Sequence, residues 1–583
     1  MRIALSTPVL LLSTLSMAAQ TGNQSGTLTG NPSAPPAVTL HAAARLVVVD
    51  VTVTDAHGNP VRHLPESAFH LVEGGHPQVL AGMEEHSAAS DAAAASRAGA
   101  ALPPLQPGVF TNLVAPPQTT PTILLFDALN TPTSSQGWVR RQVMNYLRTA
   151  PPNTRIAIFG LNSQLVLLQN FTTDIGRLRV AMEGVHPQGA GPGNLDAEAP
   201  SAAVAQIHAQ LLADQPPVGP GQEGSMAQAL SDFSNIDSNV NEAQRATITL
   251  RAFHQIALFL AGVPGRKNLI WFSSGFPLSL IPPRTPTNYT GEPTWKREYR
   301  ETMDLLSRER IAIYPVDAQG LDISGARSSE RMEAQSAMYE MADDSGGKAF
   351  MNTNGLAQAV EQVVSTGSDY YTLAYVPSDK NAHGEYRKIR VAVDAPTGLQ
   401  LSYRRGYYAE PTDTRAMAQS DDDGPSPVRA AAAYLAPPAT QIQFFARVLP
   451  AAAGVVPVAD SSRRQLDPSH NRRYGIEYSA DVRSLDVTTL PDGRRQSHLE
   501  FVSLVYDPRG RVVRSDVKSL HMTWTPEQWA AAMQRGARYQ QEISVPAEGT
   551  SLRLIVHDLE NGHLGSLDVS STGLQPSAAL PPK

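Results

Sequence analysis

Three apolar runs in the middle of the chain end alike. Thr122–Thr131 reads TILLFDALNT, Asn268–Phe276 reads NLIWFSSGF and Ile311–Asp317 reads IAIYPVD. Each is strand-length, stops at Asp, Ser or Gly, and runs into a helical pattern. After the first run, Val139, Val143, Tyr146, Leu147 and Ala150 recur at helical spacing until Pro151 and Pro152 break the helix. Arg155–Gly160 (RIAIFG) predicts a second strand and Leu165–Leu168 a third. Phe171–Asp174 (FTTD) then caps a helix containing Leu178, Val180 and Met182. A further helical face, Leu250, Phe253, Ile256, Ala257 and Leu260, leads through Gly262 and Pro264 into NLIWFSSGF. Strands alternating with helices imply a mainly parallel sheet with right-handed crossovers, hence a Rossmann-like α/β domain over residues 121–366. Ligands of such sheets sit beyond the carboxyl ends of the strands, so Asp127 marks the expected working edge.

On either side the period changes to two. RLVVVDVTVTDAHGNPV from Arg45 and a second element at Phe69–Val72 precede the α/β domain; DYYTLAYVP, YRKIRVAV and LQLSYRRGYYA from Asp369 follow it. Ile389, Val391 and Val393 share one face of their strand. Two strands and three strands are each too few for a stable sandwich. The expectation is that segment 42–86 pairs with segment 367–410, making the α/β domain an insertion in a β module. Residues 87–120, rich in Ala, Pro and Ser, read as a linker, as do residues 411–435 with Asp421–Asp423. Residues 436–570 read as an all-β domain of sandwich type, with turns at Asp-Pro-Arg-Gly and Glu-Asn-Gly, and 571–583 as a tail. The His186–Asn241 insertion and the Pro282–Pro293 loop have compositions that choose neither function nor disorder.

Composition narrows the setting. With 583 residues, 17% charged and a net charge of -7, the chain has no basic stripe, which argues against nucleic acid as a partner. Arg2, the apolar run Ile3–Leu15 and small residues at Ser16, Ala18 and Ala19 predict a cleaved signal peptide over residues 1–19, followed by a flexible leader over 20–41. The run of about 13 residues is shorter than the roughly 20 that span a bilayer, and no transmembrane segment is expected after cleavage. The expected location is the periplasm, cell surface or extracellular space. The chain has no cysteine, so disulfides cannot contribute to its stability there.

Taken together, VVVDVTVTDAHGNPV, TILLFDALNT, FTTD, KNLIWFSSGF, ERIAIYPVDAQGL, Gly346-Gly347 and the YYTLAYVP to YRRGYYA close resemble a von Willebrand factor type A domain. The narrower resemblance is to the VWFA-related family of acidobacterial exported proteins. It covers roughly Arg45–Tyr408. It implies a parallel sheet, usually with one antiparallel edge strand, and a metal ion-dependent adhesion site at the carboxyl edge. That site takes an Asp-x-Ser-x-Ser loop, a Thr from a later loop and a second Asp, all oxygen ligands for a hard cation. Here Asp127 and Thr131 match the first Asp and second Ser, Leu129 replaces the first Ser, and Ser273-Ser274-Gly275 stands for Thr-Asp-Gly. The implied metal ligands are Asp127, Thr131 and Ser274, with Asn130 and Ser273 on the ligand edge and Mg²⁺ or Mn²⁺ as the candidate ion. One carboxylate holds such an ion weakly. The competing role for Asp127 is to cap the following helix.

No HExxH pair, GxSxG elbow or Walker loop is present. Ser274-Gly275 resembles a nucleophile turn only superficially, His557, Asp558 and His563 read as surface residues, and the Tyr370, Tyr371, Tyr375, Tyr403, Tyr407 and Tyr408 group as sheet packing. The expectation is a non-catalytic protein-interaction or adhesion-type protein with a degenerate metal site and another protein as partner. The alternatives are an envelope enzyme subunit or polysaccharide-binding β protein, and a purely structural envelope protein.

Overall fold

A computed structural model describes residues 46–87, 105–114, 119–151, 153–183, 244–276, 294–320, 329–380, 385–394, 398–409, 427–450, 471–546 and 551–570. The expected signal peptide, leader, His186–Asn241 insertion, Pro282–Pro293 loop, acidic run and tail lie outside them. The described residues belong to one compact unit, Arg45–Lys583, built from three modules.

The first module is a β-sandwich made from both ends of the segment that resembles the family. β1 (Val47–Thr54), β2 (Phe69–Glu73), β3 (His76–Gln78) and β4 (Leu80–His86) come before the α/β domain. β11 (Tyr370–Tyr375), β12 (Glu385–Val393), β13 (Gln400–Ser402) and β14 (Gly406–Ala409) come after it. One sheet has the order β13-β1-β11-β4 and the other β14-β12-β2-β3. β1 pairs antiparallel with β11, Val49 opposite Leu373, and β12 with β2, Val391 opposite Leu71. Alternation then sends Val49, Val51, Leu71, Leu373, Tyr375 and Ile389 into a shared core.

The α/β sheet consists of β6 (Thr122–Asp127), β7 (Ile156–Leu161), β8 (Leu165–Thr172), β9 (Lys267–Ser273) and β10 (Ile311–Asp317). Its order is β10-β9-β6-β7-β8. All neighbours are parallel except β8, which runs antiparallel to β7 at the edge. Helices Thr133–Thr149 and Leu356–Thr366 cover one face, burying Val143, Leu147 and Val360 against Leu124 and Phe272. The helix over residues 244–260 and helices Thr294–Arg308 and Ser329–Ser345 cover the other, around Leu125, Trp271 and Ile313. Residues buried on both faces explain why the central strands read as continuous apolar runs.

The third module begins earlier in the chain than the sequence suggests. β5 (Val109–Thr111), inside the expected 87–120 linker, pairs with β15 (Phe444–Pro450), and the Asn112 side chain, buried behind it, donates to the carbonyls of Ala439 and Ile442. Three residues are too short to show alternation, and their partner strand is more than 300 positions away, so local pattern reads them as loop. The 411–435 linker likewise contains a short helix, Pro427–Ala431, with Ala431 buried.

β16 (Asn471–Ala480), β17 (Thr488–Thr489), β18 (Arg495–Tyr506), β19 (Val512–Trp524), β20 (Ala537–Pro546), β21 (Ser551–Asp558) and β22 (Leu564–Ser570) complete the module. The sheets have the orders β20-β16-β15-β5 and β17-β18-β21-β22, with β19 also paired to β18. Phe444, Ile476, Phe501 and Leu554 fill the space between them. The module is not purely β: helix Pro526–Arg535 starts with a capping box in which Thr525 Oγ1 accepts from Gln528 N and Gln528 Oε1 accepts from Thr525 N. The Thr-Pro-Glu-Gln start carries that signal in the sequence.

The hydrogen bonds that join these modules cluster at the amino edge of the α/β sheet. Arg310, just before β10, makes a paired contact with buried Asp50 of β1, at 2.5 and 2.9 Å. Arg266, just before β9, donates to the Gly346 carbonyl and the Tyr314 hydroxyl, while its backbone N–H meets Tyr370. On the C-terminal side, Thr440 Oγ1 accepts from Gly262 N at 2.7 Å and donates to the Phe259 carbonyl at 2.9 Å, closing the end of the 244–260 helix.

Candidate functional site

At the opposite edge the sheet ends in polar residues brought together by strand register. Asp127 is the last residue of β6, and Ser273 the last of β9 beside it. The backbone N–H of Ser274 donates to the Asn130 carbonyl at 3.2 Å, tying the two strand-end loops together. All five residues singled out from the sequence therefore lie at one place, and all are buried: Asp127 is 2% exposed, Asn130 and Thr131 4%, Ser273 0% and Ser274 7%.

Asp127 is a hydrogen-bond hub. Its Oδ1 accepts from the Asn130 backbone at 2.9 Å. Its Oδ2 accepts from Asn130 Nδ2 at 2.8 Å, Trp271 Nε1 at 2.9 Å and Ser273 Oγ at 2.9 Å. Burial holds the carboxyl above its usual range, and the hydrogen bonds from Asn130, Trp271 and Ser273 offset only part of that rise. The expected alternative role, capping the following helix, is not what Asp127 does. That helix starts at Thr133 behind Pro132, without a side-chain cap, and Asp127 instead closes the intervening turn onto Asn130. Four residues of loop separate the strand end from the helix cap position, a distance the sequence does not fix.

Two participants are not evident from the sequence. Trp271 is fully buried within β9, its indole packed edge-on against Phe253 and near Phe276, which aims Nε1 at Asp127. Thr249, on the 244–260 helix, accepts from Asn130 Nδ2 at 2.9 Å while donating to the Arg245 carbonyl. A second strand-end carboxylate, Asp317 of β10, lies across Ser273 in register. It accepts from Gln319 N, Arg331 Nη2 and Gln335 Nε2 at 2.8–3.0 Å. Its sequence signal is the same as that of Asp127, an acid closing an apolar run.

Against this network two hydroxyls stand out. Thr131 Oγ1 and Ser274 Oγ are buried and have no hydrogen-bond partner in the structure. Gly275 follows directly and packs against the Ser329–Ser345 helix so closely that a Cβ there would lie 2.4 Å from Ala334 Cβ. Among the described residues no His or acid hydrogen-bonds Ser274 Oγ.

The other features flagged in the sequence have structural partners. His557 faces Glu500 at 3.5 Å and His563 the Ser484 carbonyl at 3.2 Å, while Asp558, expected at the surface, is fully buried and accepts from the Asp486 and Glu560 backbones. Tyr375 and Tyr407 both donate to buried Glu73, and Tyr371 to the Val61 carbonyl.

No family model and no curated protein matches the chain. Solved structures do match parts of it. An aerotolerance-related membrane protein from Bacteroides fragilis is 13% identical over 42% of this chain and 98% of that one, with a TM-score of 0.21. A von Willebrand factor type A protein from Catenulispora acidiphila is 9% identical over 60% and 76%, TM-score 0.23. Proximal thread matrix protein 1 from the mussel byssus, solved with a zinc-occupied adhesion-site motif, is 13% identical over 44% and 47%, TM-score 0.20. These superpositions are partial; the strand order, the antiparallel β8 edge and Asp127 at the end of central β6 decide the fold. The α/β module has the von Willebrand factor type A fold.

A divalent cation at the carboxyl edge of this von Willebrand type A domain would need oxygen lone pairs. Three donors converge on Asp127 Oδ2, more than its two lone pairs can take singly, and one on Oδ1, so only Oδ1 keeps a lone pair for an ion. Leu129, where the family's first Ser would stand, is buried among apolar residues. The Thr131 and Ser274 hydroxyls are unpartnered but buried, and two neutral hydroxyls beside one partly occupied carboxyl make a poor site for a hard cation.

Proposed function

We propose that this is an exported, non-catalytic protein of protein-interaction or adhesion type. In this reading its von Willebrand type A domain presents the carboxyl edge, with a degenerate adhesion site, to another protein. The observation that carries it is the division of the sheet into two ends. Arg266, Arg310 and the end of the 244–260 helix are bonded to the β modules, whereas the carboxyl end, with Asp127, Thr131 and Ser274, makes its hydrogen bonds within the α/β domain among the described residues. Ligand contacts in open α/β sheets belong at that carboxyl end. Export rests on the N-terminal segment, and no helix among the described residues is long and apolar enough to cross a membrane.

The test uses exposed residues around the edge: Ser134, Gln164 at the β7–β8 turn, and Gln319 after β10. The full chain and a Ser134→Arg, Gln164→Arg, Gln319→Arg variant, with matching circular dichroism, would be used to capture partners from an envelope extract of the source cells. Loss of capture by the variant supports the reading. Capture unchanged in the variant moves recognition to another surface and sinks it.

A further inference from the structure

We propose that this carboxyl edge works without a divalent cation, the hydrogen-bond hub around Asp127 having taken the cation's structural place. The inference rests on the reading of the edge as a recognition surface and specifies how that surface operates.

The decisive point is that the donors around Asp127 cannot turn away. An indole N–H donates only, and Trp271 is fixed by Phe253 and Phe276. The Asn130 N–H is backbone. The Asn130 side-chain amide is oriented by a relay: Thr249 Oγ1 spends its proton on the Arg245 carbonyl, so toward Asn130 it can only accept, which turns Nδ2 toward both Thr249 and Asp127. Only the Ser273 hydroxyl is free to rotate, with the Gly275 carbonyl at 3.2 Å as its other acceptor. A cation approaching Oδ2 would thus face the Asn130 side-chain and Trp271 N–H dipoles, and one approaching Oδ1 would have to share that oxygen with the Asn130 backbone N–H. The same donors do for the strand-end loop part of what an ion does elsewhere: they hydrogen-bond a buried carboxyl and hold the loop on it.

The experiment is calorimetric titration of the full chain with Mg²⁺ and with Mn²⁺, alongside thermal melts in either metal and in EDTA. A Thr131→Val variant serves as control, because it keeps the side-chain shape and touches none of the Asp127 donors. The expected result is no saturable heat up to millimolar metal and the same melting temperature in metal and in EDTA. Saturable binding by the natural chain that disappears in Thr131→Val overturns the proposal. So does a melting temperature that EDTA lowers and Mg²⁺ restores in the natural chain but not in the variant. The titration needs no partner, so failure to capture one would defeat the interaction reading while leaving this result to stand or fall alone.

Discussion

The Trp271 indole N–H donates to Asp127 Oδ2 at 2.9 Å, from one strand to the end of its neighbour, with both residues out of solvent. Hydrogen bonds to charged groups contribute about 1.5–3 kcal/mol, and removing one from a buried acceptor exposes its desolvation cost. Trp271→Phe also leaves a void beside Phe253 and Phe276. The expected loss is about 3 kcal/mol in urea unfolding. A loss under about 1 kcal/mol would mean that Asp127 does not depend on this donor.

Lys267 opens β9 at the junction of the modules, its Nζ donating to the Glu309 carbonyl, and burial lowers its pKa from 10.5 to about 8. The folded state therefore releases this proton before the unfolded chain does. Between pH 8 and 10.5 the unfolded chain binds more protons, so stability rises with pH across that window and is flat, at its lower value, below it. The gain is on the order of 3 kcal/mol. Lys267→Met should be the more stable protein at pH 7 and should flatten the rise, as read from urea midpoints at stepped pH. Parallel curves for the two proteins would assign the pH dependence elsewhere.

Asp50 and Arg310 join the β-sandwich to the von Willebrand type A domain, with Thr372 bonded to both. Asp50→Asn leaves the guanidinium without its counter-charge, for an expected cost of about 3 kcal/mol. Because the pair lies between modules, limited proteolysis should show earlier cleavage between them. Unchanged proteolysis together with unchanged stability would show that the pair is dispensable.

Gly347 leaves no room for a side chain: a Cβ there would sit 1.9 Å from the Ile313 carbonyl oxygen. Gly347→Ala must push helix Ser329–Ser345 off β10, at a cost of about 3 kcal/mol or more. The check is the thermal midpoint beside Gly398→Ala. At Gly398 the added Cβ meets nothing within 4 Å, but φ is +105°, so backbone strain alone sets its smaller cost.

Much of the central sheet was legible because strands buried on both faces spell themselves as apolar runs, and β6, β9 and β10 do so without interruption. β8 was harder: half-exposed at the sheet edge, it shows neither a clean run nor clean alternation, and its direction is not written in its residues. At the site, loop residues Asn130, Thr131, Ser273 and Ser274 could be named because small polar residues after a strand stand out. Trp271 could not, since inside an all-apolar strand nothing distinguishes an indole that packs from one that also donates. Thr249 was hidden for another reason: its partner Asn130 is 119 positions away, and a single hydroxyl on a helix carries no pattern.

The last residue of β4, His86, lies opposite the first of β11, Tyr370, in the sandwich. The whole α/β domain is thus looped out between two touching strands, about 280 residues apart in the chain. During synthesis β1 waits with Val47, Val49, Val51 and Val53 uncovered until β11 emerges. Closing so long a loop as free chain is entropically costly. An α/β insertion whose own fold brings its two ends together lowers that cost for the sandwich strands on either side of it.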